Sequence, residues 1–261
     1  MTARRVGRVI RARGHGPRRA PPDLRPLFII TSERTGSNLL VDYLRSLPNV
    51  DMAGEVLSPL LPIGIRTRFV SRRRALRHLR RTMENLDGAV VGAKLMFWHL
   101  HEIHELSVED LRAEFPDARF IILYRASLAE QYVSHRIAEQ TGQFLVRERR
   151  KRRTASVVVD PDDFGEYCMR IKAHYERVVR VPWMAERGII VRYRELLDDA
   201  EGLMRDRLAP HLAVPYRPPS SPLVKQNPQP LRDKVVNYAE VETILTGSDA
   251  FQSYSFTGER G

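Results

Sequence analysis

A short apolar run, Leu27-Phe28-Ile29-Ile30-Thr31, meets a glycine-containing turn, Ser32 to Asn38, which leads straight into an amphipathic stretch. That junction constrains the fold more than any other feature of the chain. A β-branched and apolar run bounded by a polar turn suits a strand buried on both faces. Leu39, Leu40, Tyr43, Leu44 and Leu47 then fall on one side of a helix that stops at Pro48. Strand, tight turn and helix in that order aim free backbone N–H groups at an anion above the helix N-terminus.

The rest of the chain repeats the alternation. Val90 to Met96 reads as a strand, Ser107 to Phe115 as a helix with Ser107 and Asp110 at cap positions, and Arg119 to Tyr124 as a strand. Ser127 and Glu130 form a capping-box pattern opening a helix that runs to about Thr141. Asp160-Pro161 starts a longer helix with Phe164, Tyr167, Cys168, Ile171, Tyr175, Val178 and Val179 along one stripe, and Gly188 to Tyr193 reads as a further strand. The class is therefore α/β, a mostly parallel central sheet with helices on both faces, whose ligands bind at the carboxyl ends of the strands.

Residues 1–26 carry Arg4, Arg5, Arg8, Arg11, Arg13, Arg18 and Arg19 among Gly and Pro, and read as a disordered basic arm. A transit peptide is also arginine-rich, but Pro-Gly interruptions spoil its amphipathic helix. Residues 27–261 read as one domain. The single cysteine, Cys168, closes no intrachain disulfide, and neither a membrane-length apolar run nor a secretory signal is visible, so a cytoplasmic protein is expected. A net charge of +11 predicts attraction to polyanions, including peripheral contact with the anionic inner face of a membrane. The basic segments Arg66 to Arg81 and Arg147 to Arg153 read as solvated helix or loop, and nothing indicates an oligomeric state.

The turn differs from the loop of a nucleotide kinase, which needs two glycines and a lysine reaching the β/γ-phosphates. Here there is Gly36 alone, and Arg34 precedes it. Thr35, Gly36, Ser37 and Asn38 can present amides and hydroxyls to one phosphate, although Ser37 could equally just cap the helix. A second anion reader stands at the end of another strand, where Arg125 precedes Ser134 by about two helical turns. The plainer alternative pairs Arg125 with a helix carboxylate, Glu130. Two phosphate readers on one sheet suit a nucleotide phosphorylated at both its 5′ and 3′ positions.

These residues carry a family resemblance. Phe28 to Leu40 resembles the 5′-phosphosulfate loop of sulfotransferases, and Leu123 to Ser134 resembles their 3′-phosphate motif. Ala53-Gly54-Glu55, Gly92 to Met96, Gln140-Thr141-Gly142 and Lys225-Gln226-Asn227 through Asn237-Tyr238 resemble the bacterial carbohydrate branch of that family. The resemblance implies a fold related to P-loop kinases, with PAPS (3′-phosphoadenosine 5′-phosphosulfate) as donor and a carbohydrate or glycolipid hydroxyl as acceptor. It places Arg34 on the bridging oxygen and 5′-phosphate, Thr35 to Asn38 in the phosphate loop, Arg125 and Ser134 on the 3′-phosphate, and Lys225 in a covering loop.

In-line sulfuryl transfer asks for charge stabilisation on the leaving oxygen and a base for the acceptor hydroxyl. Small-molecule sulfotransferases carry a histidine two residues after a strand lysine, and here that position is Met96 after Lys94. Glu55 is the better candidate base, although Ser58 stands where the trehalose-type pattern has a second glutamate, so Glu55 can instead hold the acceptor. Lys94 can steer the acceptor or leaving group, or simply snorkel from a sheet edge. Phe97 and Trp98 can form a stacking wall for a sugar or fill the core. His101 and His104 are three apart, not the four of H-E-x-x-H, so no metal is expected and the transfer needs none. The competing classes are a basic module for nucleic acid or another polyanion, which leaves the paired phosphate motifs unexplained, and a small-metabolite kinase.

Overall fold

A computed structural model describes residues 24–59, 64, 71–247 and 254–256. The N-terminal arm up to residue 23 and Arg66 lie outside the described residues. Five parallel strands, β1 (Arg25–Thr31), β2 (Val50–Met52), β3 (Val90–Met96), β4 (Arg119–Tyr124) and β5 (Gly188–Arg192), form one sheet in the order β2-β3-β1-β4-β5. The first strand begins at Arg25 rather than Leu27. Its amide bonds the Ala89 carbonyl at 2.9 Å and its guanidinium bonds the Leu212 carbonyl at 2.7 Å, so the ordered domain reaches two residues into the expected arm.

Alternate residues of β1 feed opposite cores, as a two-residue side-chain period requires. Leu27 and Ile29 join Ile121 and Leu123 of β4 under Leu40, Val41 and Leu44 of helix α1 (Ser37–Ser46). Phe28 and Ile30 join Phe120, Ile122 and Tyr124 on the other face, packed by α2 (Arg72–Glu84), α3 (Val108–Glu114), α4 (Leu128–Thr141) and α5 (Pro161–Val179). Helices on both faces explain the near-continuous apolar strands, and each fully buried Leu or Ile contributes about 1.5–3 kcal/mol.

Local signals act where expected. Ser107 and Asp110 complete a capping box on α3, and Asp160 caps α5 ahead of Pro161. In α2 the arginines face outward while Ala75, Leu79 and Met83 are buried at every fourth position. The α4 capping box is half made: Ser127 Oγ accepts from the Glu130 amide at 3.2 Å, but the Glu130 carboxylate turns to Arg125 instead of the cap. A π-helical stretch, Trp98–Ile103, follows β3. Among the described residues no helix is long and apolar enough to cross a membrane.

Candidate active site

The turn after β1 holds two residues in the left-handed region, Arg34 at φ 59° and Gly36 at φ 81°. A Cβ on Gly36 would lie 2.5 Å from Cδ2 of Tyr193, so the position needs glycine for both conformation and space. Thr35 is fully buried. Its hydroxyl bonds Thr31 Oγ1 at 2.6 Å and the Ser32 carbonyl at 3.1 Å, bracing the turn from below and leaving only its backbone for a ligand. No side chain caps α1, whose N-cap is Gly36, so Ser37 does not play the plain capping role. The first helical amides remain directed at the space above the sheet, an arrangement that attracts an anion.

That space is a cavity of about 280 Å³. Arg34, Gly36, Ser37, Asn38, Arg125, Ser134 and Lys225 all line it, so residues far apart in sequence converge on one cleft. The convergence follows from topology: β1 and β4 are neighbours, and their following turns open at the same edge of the sheet. The loop through Val224 to Asn227 closes the cleft by pairing with Val146, the Val224 amide bonding its carbonyl at 3.0 Å.

Arg34 is tied to α4 and the covering loops. Its Nε donates to Ser134 Oγ at 3.1 Å, Nη1 to the Phe144 carbonyl at 2.7 Å and Nη2 to Gln226 Oε1 at 2.7 Å. Burial, and then the nearby Arg125 charge, lower its pKa to about 10. A role on a bridging oxygen would require the guanidinium to leave one of these partners. Arg125 is buried, ion-paired with Glu130, and stacked on Tyr193 with its guanidinium carbon 4.8 Å from the ring centroid. The plainer sequence alternative is therefore realised, yet the Arg125 Nε is buried with no partner among the described residues. The Arg125 side chain lines the cleft with its charge only partly spent on Glu130, which fits a second anion.

Lys94 does not snorkel from an edge. The short strand β2, absent from the sequence reading, covers β3, so Lys94 lies inside the sheet at 1% exposure. It sits opposite Ile29 on the α1 side. Its ammonium reaches Asn38 Oδ1 at 2.8 Å and Glu55 Oε1 at 2.7 Å, linking the loop to the candidate base. Glu55 is delivered by the continuation of β2, where Gly54, at φ 85°, accepts from the Lys94 amide at 2.8 Å. Burial would raise the Glu55 pKa, but the Lys94 charge and hydrogen bond outweigh it and hold the carboxyl below its ordinary value.

The aromatic wall is not formed by Phe97, which is buried and stacked on His174 at 5.2 Å with an edge contact to Tyr175. Trp98 is half-buried against His99. His99 is fully buried beside the Glu55 charge, with both ring nitrogens unpartnered among the described residues, and burial lowers its pKa to about 4. His101 Nδ1 lies 3.1 Å from His174 Nδ1, and His104 Nε2 lies 3.0 Å from the Leu57 carbonyl. Among the described residues no group of three His, Cys, Asp or Glu side chains is placed to hold a metal ion.

The sequence reading missed Tyr193 and Lys234. Tyr193 packs against both Gly36 and Arg125, and Lys234 lines the same cleft from a short helical turn near the C-terminal end of the domain. A tyrosine after a strand and a lysine in an irregular segment carry no spacing signal. The Gln140-Thr141-Gly142 and Asn237 matches have structural roles here: Gly142 is the left-handed C-cap of α4, and Asn237 clamps both backbone groups of Val159 at 2.9 Å.

No curated protein matches the chain. Among solved structures it is similar to a sulfotransferase from Alicyclobacillus acidocaldarius, at 17% identity and a TM-score of 0.48 over 89% of this chain and 94% of that one. It is also similar to the sulfotransferase domain of the olefin synthase from Synechococcus PCC 7002, at 14% identity and a TM-score of 0.49 over 92% of each chain. The sulfotransferase family model matches residues 26–218, which hold the parallel sheet and most of the cleft above it but not its Leu223 to Asn227 and Lys234 wall, and the chain belongs to that family, with an α/β fold.

Proposed function

We propose that this sulfotransferase moves the sulfuryl group of PAPS onto a hydroxyl of a carbohydrate or glycolipid acceptor. Family membership sets aside the kinase and the polyanion-binding module as its main activity. The observation that carries the reading is the convergence of the Gly36 turn, Arg125, Ser134 and Lys225 on a single cleft. PAPS, as donor, supplies the activated sulfuryl group and a good leaving phosphate.

In this reading the amides of Gly36, Ser37 and Asn38 receive the 5′-phosphosulfate at the α1 N-terminus. Arg125 and Ser134, which both line the cleft, take the 3′-phosphate. Lys225 covers the nucleotide, and Arg34, fixed between Ser134 and Gln226, adds positive charge between the two ends. Lys94 lies behind Asn38 and stabilises charge on the leaving oxygen. Glu55, ionised by Lys94, accepts the acceptor's proton as the new O–S bond forms and the hydroxyl becomes acidic. The carbohydrate assignment is supported by the Ala53-Gly54-Glu55 pattern, which delivers a carboxylate 2.7 Å from the strand lysine, while the position two residues after that lysine is Met96.

The test pairs binding with transfer. PAP, the desulfated nucleotide, should raise the melting temperature where AMP barely does, and label from radioactive PAPS should enter a carbohydrate-containing fraction of cell glycolipids. Equal stabilisation by PAP and AMP would overturn the donor assignment. Label confined to phenols or protein tyrosine would overturn the acceptor class.

A further inference from the structure

Glu130 does not line the cleft itself, but it pairs with Arg125, which does. Burial, which alone would raise its pKa, is outweighed first by Arg125 and then by Lys234 and Lys225. All three cations line the cleft. The two partners of the ion pair differ in what they can do. The Arg125 side chain is 9% exposed and pinned on Tyr193, whereas the Glu130 side chain is 45% exposed. Glu130 can return to water at small cost, and Arg125 cannot.

We propose that Glu130 is an internal substitute for a phosphate, holding Arg125 from beside the cleft until the nucleotide's 3′-phosphate draws the guanidinium away from it, and so tuning selectivity for 3′-phosphorylated nucleotides. The inference rests on the nucleotide reading of the cleft. A buried arginine flanked by two lysines would otherwise hold any small anion, and a tethered carboxylate raises the threshold for occupancy. A phosphate dianion can outcompete one carboxylate, since it carries more charge and three acceptor oxygens and also meets Lys225 and Lys234 in the cleft. Glu130 donates its backbone amide to the Ser127 cap, so neutralising its side chain leaves the start of α4 intact.

Titration calorimetry of PAP and AMP on the full chain and on Glu130→Gln tests this. Losing a half-exposed competing pair should tighten PAP by about fivefold and leave AMP, which lacks the 3′-phosphate, unchanged. Weaker or unchanged PAP binding in the variant would overturn the proposal, because a residue that only orients Arg125 gives that result. Equal tightening of both nucleotides would also overturn it, as a general charge effect. If the parent protein does not prefer PAP to AMP, the nucleotide reading itself fails and the inference falls with it. A melting scan of each protein without nucleotide confirms that both are folded.

Discussion

Lys94→Met should destabilise this protein in a way that depends on pH and on Glu55. The ammonium is 1% exposed and joins Glu55 at 2.7 Å and Asn38 at 2.8 Å. Removing one partner of a buried pair costs about 3–5 kcal/mol, because the other charge stays buried alone. The Glu55 side chain retains 24% exposure, so water recovers part of the loss. The low end, about 3 kcal/mol, is expected at neutral pH, a melting shift of about 6–12 °C for a domain of this size. In the parent the depressed Glu55 pKa contributes stability that is present above its ordinary value of 4.5 and is lost as pH falls through the folded value. In the variant burial, the largest single influence, is no longer outweighed by Lys94, so the carboxyl's pKa rises and its penalty vanishes once it protonates. The deficit should therefore be largest at neutral pH and shrink towards pH 4.5. Denaturant titrations of parent, Lys94→Met, Glu55→Gln and the double variant measure it, and the double variant should regain most of the loss. A deficit of equal size at both pH values, with no recovery in the double variant, would refute the reasoning.

Arg125→Ala should weaken PAP by about 10- to 100-fold, the worth of hydrogen bonds from a charged donor, and change adenosine 5′-phosphosulfate little. Equal losses for both ligands would remove Arg125 from the 3′-phosphate. Gly36→Ala forces a side chain to φ 81° and into Tyr193, so it should cost about 1–2 kcal/mol in backbone strain and at least about tenfold in PAP affinity. Normal affinity in a folded Gly36→Ala protein would show that the turn does not receive the nucleotide. Glu55→Gln should lower kcat by about 10²–10⁴-fold with PAP affinity unchanged. A near-normal kcat with raised KM would make Glu55 an acceptor ligand and direct attention to His99.

Strands β1, β3, β4 and β5 were legible because each is an apolar run closed by a turn or helix cap, and β1 led directly into the helix that frames the cleft. The three-residue β2 was not, since Val50-Asp51-Met52 is too short for any period to register. That single omission misplaced Lys94 at a sheet edge. The phosphate-loop residues could be read from local order along the chain, but the orientation of their side chains could not. Nothing in the sequence says that Thr35 braces the turn from beneath or that Arg34 reaches Ser134. The pairing of Arg125 with Glu130 was visible as an alternative because five residues separate a strand end from the first helical turn. Tyr193 was invisible, since its contact with Gly36 depends on β5 docking beside β4.

A base with a depressed pKa is a weak base, and the position of Lys94 offers a resolution. Its ammonium is shared between Asn38, in the loop expected to hold the 5′-phosphate, and Glu55. An anion seated on the α1 N-terminus draws Lys94 towards itself and also repels Glu55 directly. Both effects act in one direction. With the attraction of Lys94 reduced, burial is left as the stronger influence, and the Glu55 pKa should rise towards the range useful for proton transfer. Donor binding would then strengthen the base only when transfer can follow, limiting futile proton uptake by the protein alone. Following the Glu55 carboxyl carbon by NMR across an acid titration, with and without PAP, measures the shift against a Glu55→Gln blank. An upward move on PAP binding is expected, and a titration unmoved by saturating PAP would show that the loop and Glu55 are not coupled through Lys94.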